Sequence, residues 1–455
     1  MELETATREE LIQLIVEQDD LIAQLRARIT VLEEQIASLP EAPPDSGCGR
    51  SGRAVPTWVK PARSRGERKP RKQRAQGYAR QRSQPRRQVV HAVDACAQCG
   101  CLLGGGSVKR TREVLHIPIA TMEVIEHVFI ERRCPLCGKR QTPGAEVLRG
   151  EVLGQHRVSL QTMALIATLR EEGRLPIEEI VWLLQTLYGL ELSEGEIIAI
   201  LHDVAAHGGE QVEAWRQQLR MSPVVHGDET SWRESGQNGY FWSFSTPQIG
   251  YFVYRYSRSG HIVEEVMGCT PNTTMVCDFY GAYNRHAGPH QRCWAHLLRA
   301  IHDLKACYPE DEQLQAWGKA VHAVYLGACA LCERLRDGPW MERYAAAQRC
   351  ERELLALCEP FLETNLPQRV LCQRCQRFIK ELFRFVIDPW VPPDNNAAER
   401  VIRPLTVSRK ISGGTRSPRG SETKGILASL FGTWRLQGLN PFVACCRLLA
   451  SPESE

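Results

Sequence analysis

The 455-residue sequence contains no run of 18 apolar residues, so no stretch of it is suited to cross a bilayer as a helix. Its opening, Met1-Glu2-Leu3-Glu4, is acidic and lacks the basic-then-apolar pattern of a secretory signal, which predicts a cytoplasmic protein with no membrane partner. No repeat of solenoid length recurs, and stacked-repeat architectures are excluded. Aromatic residues make up only 7%, yet apolar residues reach 43% and charged residues 24%. That balance is ordinary for globular protein and rules out a disordered, collagen-like or fibrous chain. At about 150 residues per domain, the length suits about three domains.

Acids are scarce in one stretch. Between Arg50 and Arg87, fourteen Lys and Arg face a single acid, Glu67. The whole chain carries only +4, so the remainder is net acidic. Residues 41–90 are rich in Pro, Gly, Ser, Arg and Lys and too poor in apolar residues to fold alone. They read as a solvated linker and, equally, as a phosphate-binding arm with Arg68, Lys69, Arg71, Lys72 and Arg74 as contacts. Clustered cations bind polyanions by releasing counterions, so composition specifies a polyanion without saying which. Ahead of this arm, residues 8–39 repeat every seven positions. Ile15, Ile22, Ile29 and Ile36 occupy one seam position; Leu25, Leu32 and Leu39 occupy the other, with Gln18 as a polar exception. That choice favours a two-stranded parallel coiled coil, here a dimerisation helix over 1–40 ended by Pro40, Pro43 and Pro44.

Eighteen cysteines without an export pattern point away from disulfides. Cys96-Ala-Gln-Cys99-Gly100 and Cys134-Pro-Leu-Cys137-Gly138 each place two thiolates within reach of one tetrahedral ion. Residues 124–130 alternate in the strand manner, so 91–145 reads as a zinc ribbon holding structural Zn²⁺. Cys101 is near enough to be an alternative ligand, and His116 or His127 another. Cys329/Cys332 and Cys372/Cys375 have the same spacing but lie in helical pattern, where free cysteine behaves as a small buried apolar residue.

Residues 146–222 read as helical. Pro176 suits a first turn, Gly189 a stop, and Ser193 with Glu196 a capping box. A helix-turn-helix is compatible with DNA reading, although most such pairs merely pack. From Pro223 the period changes. Val224–Asp228, Gly239–Phe244, Ile249–Tyr256 and Thr273–Asp278 read as four short strands, and helical pattern dominates again from about 300 to 385. Residues 394–449 are largely helical, interrupted by a glycine- and arginine-rich stretch over 412–425.

Three carboxylates stand out. Asp228 ends the first expected strand, Asp278 ends the fourth, and Glu399 lies in the early turns of a helix capped by Asp394, with Asn396 and Arg403 on the same side. Oxygen donors of this kind suit hard cations such as Mg²⁺. Two such ions about 4 Å apart support in-line phosphodiester cleavage. Acids at strand ends are also ordinary turn residues, and spacing alone leaves both readings open. Seven cations over 400–424, among them Arg400, Arg403, Arg409, Lys410, Arg416 and Lys424, face Glu422 alone, which suits strand positioning.

The stretches Asp228-Glu-Thr-Ser-Trp232, Asp278-Phe-Tyr-Gly-Ala-Tyr283, Arg292-Cys-Trp-Ala-His296 and Pro393-Asp-Asn-Asn-Ala-Ala-Glu-Arg400 together resemble the insertion-sequence-66 family of bacterial transposases. So do Arg409-Lys-Ile-Ser-Gly-Gly-Thr415, Leu436-Gln-Gly-Leu-Asn-Pro441, the double CxxC module and the leading coiled coil. The resemblance implies a multidomain α+β chain with a ribonuclease-H-like core over 223–411, a helical insertion at about 300–390, and a basic loop with C-terminal helices over 412–455. It implies Asp228, Asp278 and Glu399 as a triad for Mg²⁺ (or Mn²⁺), His296 near the scissile strand, and double-stranded DNA, both element ends and target, as partner. A homodimer or higher oligomer acting with accessory proteins of the same element is also implied. Cys277 and Phe279 depart from the small residues of the family pattern, and the insertion is short. A metal-dependent nuclease without strand joining, and an inactive DNA-binding remnant, are the alternatives.

Overall fold

The computed structural model describes residues 84–85, 87–115, 122–154 and 156–451. The expected coiled coil, most of the basic arm including Arg68, Lys69, Arg71, Lys72 and Arg74, and His116 lie outside the described residues. The chain divides into two units, Met1–Leu115 and His116–Glu455.

The described part of the first unit is one tight turn around Cys96–Gly100, flanked by an antiparallel bridge between Ala95 and Leu102. The second unit opens on a matching turn, Cys134–Gly138, between the two-residue antiparallel strands β1 (Arg132–Arg133) and β2 (Arg140–Gln141). The alternating stretch 124–130, expected as strand, is not one: it has no ladder partner among the described residues. Val124, Val128 on one side and Ile125, Phe129 on the other are all exposed. Alternation specifies a strand only where a neighbour takes up its backbone N–H and C=O groups.

Three helices follow: α1 (Leu160–Glu171), α2 (Ile177–Tyr188) and α3 (Glu194–Met221). Local chemistry sets their ends. Gly189 stops α2 at φ 67°, in the left-handed region that glycine adopts without strain. Ser193 Oγ accepts from Glu196 N at 3.2 Å, and Glu196 Oε2 accepts from Ser193 N at 2.8 Å, a reciprocal cap for the 28-residue α3. The Ser193 N–H and hydroxyl hold the Glu196 carboxyl below the usual carboxylate range. Ser193→Ala is expected to lower stability by about 1 kcal/mol, read as a shift in the urea midpoint with unchanged slope.

The sheet comes next. Strand β3 (Val224–Glu234) turns through Ser235 and Gly236, both at positive φ, into β4 (Gln237–Ser245), and β4 pairs with β5 (Gly250–Arg255). Two successive positive-φ residues match the twist of a tight hairpin. Helix α4 (His261–Met267) then crosses to β6 (Thr274–Cys277), and β7 (His290–Arg292) closes the sheet. The order is β5-β4-β3-β6-β7, the first three antiparallel and the last two parallel to β3. Two differences from the sequence reading matter. β3 continues six residues past Asp228, which therefore lies within the strand and not at its end. β7 was not expected, because three residues are too few to show a period.

A helical segment follows: α5 (Trp294–Cys307), α6 (Glu312–Arg334), α7 (Trp340–Cys358), α8 (Arg369–Arg377), and the single turns α9 (Ile379–Leu382) and α10 (Arg384–Ile387). It has its own core, with Trp294, Leu314, Val321, Leu354, Phe383 and Phe385 buried together. Cys372 and Cys375 are buried in that core, and Cys329 and Cys332 pack against it, as small apolar residues do. The chain returns through α11 (Asn396–Ser412), α12 (Pro418–Leu436) and α13 (Pro441–Ala450). Helix α12 starts at Pro418 behind the Ser417 cap, so the glycine-rich break is only 413–417, shorter than expected. β4 is buried on both faces: Trp242 and Phe244 join the cluster formed with α1, α2 and α3, and Phe241 joins Trp232, Phe252, Ile402 and Leu405. No helix among the described residues is long and apolar enough to cross a membrane.

Candidate active site

Strand register brings two of the acids side by side. His226 on β3 is level with Val276 on the parallel β6, so Asp228 and Asp278 each stand two residues further on along neighbouring strands. Side chains two apart share a face, and adjacent strands run about 4.8 Å apart. Asp228 Oδ1 accepts from the next backbone amide along the strand, Glu229 N, at 2.9 Å. Asp278, just past the end of β6, accepts from Tyr280 N at 2.8 Å.

The third acid arrives through a residue that the sequence reading passed over. Asn395, not Asp394, occupies the cap position of α11 and is buried. Its Nδ2 donates to Gly227 O at 2.8 Å, its Oδ1 accepts from His226 Nδ1 at 2.9 Å, and its backbone N donates to the Cys293 thiol sulfur at 3.1 Å. One side chain and one amide thus tie the start of α11 to β3 and to the first turn of α5. Trp294 N donating to Pro393 O at 3.0 Å adds a second tie. Glu399 then falls in the first turn of α11, where the helix dipole favours a carboxylate. Ala398, Ile402 and Leu405 face the core and turn Glu399 the other way.

Asp228 feels the other acids. Burial first, then the charges of Glu229, Asp278 and Glu399, push its carboxyl up to about 7. Among the described residues, no three His, Cys, Asp or Glu side chains stand close enough as placed to enclose a metal ion. Carboxylate oxygens are the donor type that hard divalent cations take, so the residue types, as distinct from their placement, suit such an ion.

His296, on the first turns of α5, is 3.7 Å from Glu399 Oε1, and Arg299 is 4.0 Å from the same oxygen. Cys293 and Trp294, between them and β7, are fully buried. Glu229, beside Asp228, was also missed. It accepts from Tyr283 Oη at 2.5 Å and pairs with Arg258 at 2.5 Å. Behind Asp278 lies Arg292, completely buried, which donates to Asp278 O at 2.8 Å and pairs with Glu381 of α9 at 2.6 Å. Phe279, the large residue beside Asp278, packs edge-on against Phe378 at 5.6 Å. The helical segment thus supplies the space that its size needs.

The cations over 400–424 divide. Arg400, Arg403, Lys410 and Arg416 are exposed. Arg409 is tied to β3, donating to Ser231 O at 2.7 Å and Thr230 Oγ1 at 3.1 Å. Lys424 is no phosphate contact: it is buried, with Nζ 2.8 Å from both carboxylate oxygens of Glu171. Helix α12 is buried over most of its length from Ser421 to Trp434, and Lys424 is buried with it.

At the two knuckles, Gly100 N donates to Cys96 O at 2.8 Å and Gly138 N to Cys134 O at 2.9 Å, with both glycines near φ +72°. The backbone N–H groups of Gln98 and Cys99 lower the Cys96 thiol pKa, and those of Cys137 and Leu136 lower that of Cys134. Thiols poised toward thiolate are the form that binds zinc.

A mixed α/β body with two acids at matching positions of neighbouring strands, a third in the first turn of a helix tied to the sheet, and two cysteine knuckles is the class of protein these features define. Residues 155–423 match the family described as "Transposase IS66 family", and residues 94–138 match "zinc-finger binding domain of transposase IS66". The chain belongs to the IS66 transposase family. It is also similar to "Uncharacterized protein y4jO" of Sinorhizobium fredii (strain NBRC 101917 / NGR234), 25% identical over 174 residues. That match covers 38% of this chain and 51% of the relative, so the chain spans about half the length of the curated relative it matches.

Proposed function

We propose that the chain is a DNA transposase whose active site is Asp228, Asp278 and Glu399 on a ribonuclease-H-like core. The reading is supported by the parallel register that sets Asp228 and Asp278 at matching positions of neighbouring strands, with Glu399 in the first turn of the helix tied to β3 through Asn395. The sheet order, with three antiparallel strands followed by two parallel ones, supports the core assignment.

In this reading the three carboxylates hold Mg²⁺ or Mn²⁺, which supplies Lewis acidity and charge neutralisation at the scissile phosphate. The chain's own residues do the rest. Asn395 keeps Glu399 in register with Asp228 through its bonds to Gly227 and His226. His296 and Arg299 bracket the outer oxygen of Glu399 and meet the strand beside it. Arg400, Arg403, Lys410 and Arg416 contact backbone phosphates, Arg409 braces α11 on β3, and the basic arm with Arg68, Lys69, Arg71, Lys72 and Arg74 adds affinity without sequence information. Cys96, Cys99, Cys134 and Cys137 hold structural zinc, and a dimer joined through residues 1–40 brings two DNA ends together.

The deciding experiment incubates purified protein, Mg²⁺, DNA bearing the ends of its element and a target plasmid. Joined products are expected. Cut but unjoined DNA indicates a nuclease, and retention without cutting indicates a binding remnant. Chelation is expected to remove about one zinc per chain, and Cys96→Ser or Cys134→Ser to abolish its retention, as measured by atomic absorption. Variants that keep full zinc content would rule out these ligands.

A further inference from the structure

We propose that the helical segment between β7 and α11 carries a pocket for an unpaired nucleotide of DNA, with its base against tryptophan and its phosphate on arginine. The proposal rests on the DNA-acting role argued above. The pocket is a cavity of about 280 Å³ formed where the end of α6, the start of α7, and α10 with the loop after it meet. Arg336, Trp340, Arg343, Arg384, Asp388 and Trp390 line it.

Two features set it apart from an ordinary surface cleft. The first is aromatic exposure. Trp390 is 80% exposed and Trp340 53%, and Trp340 lies stacked on Tyr344 at 4.9 Å and 13°. Tryptophan is highly buried on average, so two open indoles beside one cavity leave large flat faces free for a partner. The second is unspent positive charge. No ion pair engages Arg336, Arg343 or Arg384 among the described residues. Arg343 is steered by backbone, with Nε donating to Ile387 O at 2.9 Å and Nη1 to Gly338 O. Arg384 Nε is buried without any partner, a donor whose desolvation nothing in the protein offsets. The one acid on the rim, Asp388, has an oxygen accepting from Trp390 N at 3.2 Å and so holds the tryptophan loop in place.

Three guanidinium groups select an anion, and a fork of N–H donors matches phosphate oxygens. Open indole faces select a flat π-system. A nucleotide has both. The cavity sits near the lower bound of about 300 Å³ for small-molecule sites, which suits one nucleotide and not a duplex. A base can reach an indole face only when it is out of the stack, so the ligand is an unpaired position at a DNA end or beside a nick. Trp390 precedes Glu399 by nine residues on the loop entering α11, so the same segment that delivers the third acid would grip the strand.

The test uses the full chain without divalent metal and two duplexes of equal length, one blunt and one ending in three unpaired nucleotides that include 2-aminopurine. The parent is expected to prefer the frayed duplex and to quench the 2-aminopurine. Trp390→Ala and Arg336→Gln, both at exposed positions, are each expected to cut that preference about ten-fold while blunt-duplex affinity is kept. Equal binding of both duplexes by the parent, or variants that retain preference and quenching, would overturn the pocket. If strand joining still depends on Asp228, Asp278 and Glu399 in that event, the transposase reading stands alone. Failure to bind either duplex would sink both.

Discussion

Asp228→Asn, Asp278→Asn and Glu399→Gln are each expected to reduce Mg²⁺-dependent strand cleavage by about a thousand-fold or more, with DNA retention preserved. The changes are nearly isosteric, so packing survives and only a charged oxygen is lost. A metal ion contributes several kcal/mol by stabilising charge at a phosphate, and each 1.36 kcal/mol is a factor of ten in rate. Retention should survive because the proposed phosphate contacts, Arg400, Arg403, Lys410 and Arg416, are separate side chains. The neutral amide at 228 should also relieve repulsion in the metal-free protein, since burial and three neighbouring acids already press that carboxyl toward its protonated form. A variant that is inactive yet at least as stable as the parent is therefore the expected signature, measured by cleavage rate together with the urea midpoint. Parent-level cleavage by all three variants would dismiss the site.

Lys424→Met is expected to destabilise the catalytic unit by about 3–5 kcal/mol, because it strands the carboxylate of Glu171 in the interior. The pair is well buried, at 8% and 5% side-chain exposure, and both Glu171 oxygens accept from the ammonium at 2.8 Å. Burial lowers the Lys424 pKa, and the Glu171 charge opposes that shift. The double variant Glu171→Leu/Lys424→Met removes both charges and is expected to recover most of the loss. Urea unfolding of the parent, the single variant and the double variant checks this. A single variant within 1 kcal/mol of the parent would show that the pair is not isolated from water. The contact joins the last residue of α1 to α12, so its loss would loosen the helices that cover one side of the sheet.

What could be read without coordinates was whatever depended on near neighbours in the chain. The Ser193–Glu196 box, the Gly189 stop and the Gly100 and Gly138 turns each span three to five residues, and all appear as their chemistry dictates. Local signals failed where a partner was remote or missing. Residues 124–130 alternate well yet have no strand partner among the described residues. Asp228 reads as the end of a strand in sequence, whereas pairing with β4 carries the strand through to Glu234. Lys424 read as a surface cation because its partner is 253 residues away.

The three acids illustrate the division most clearly. Position marked Asp228, Asp278 and Glu399 without deciding between turn residue and ligand, and the resemblance to the insertion-sequence-66 family joined them into an expected triad. The placement of the elements that carry them was decided by long-range geometry: the parallel register of β3 and β6, and the bonds of Asn395 reaching 169 residues back to His226. The same holds for the arginine- and tryptophan-lined pocket, whose residues lie at 336–343 and 384–390 and show no pattern in sequence. Backbone propensity acts over one turn or one hairpin, while sheet register and buried polar ties form only when distant segments exclude water together.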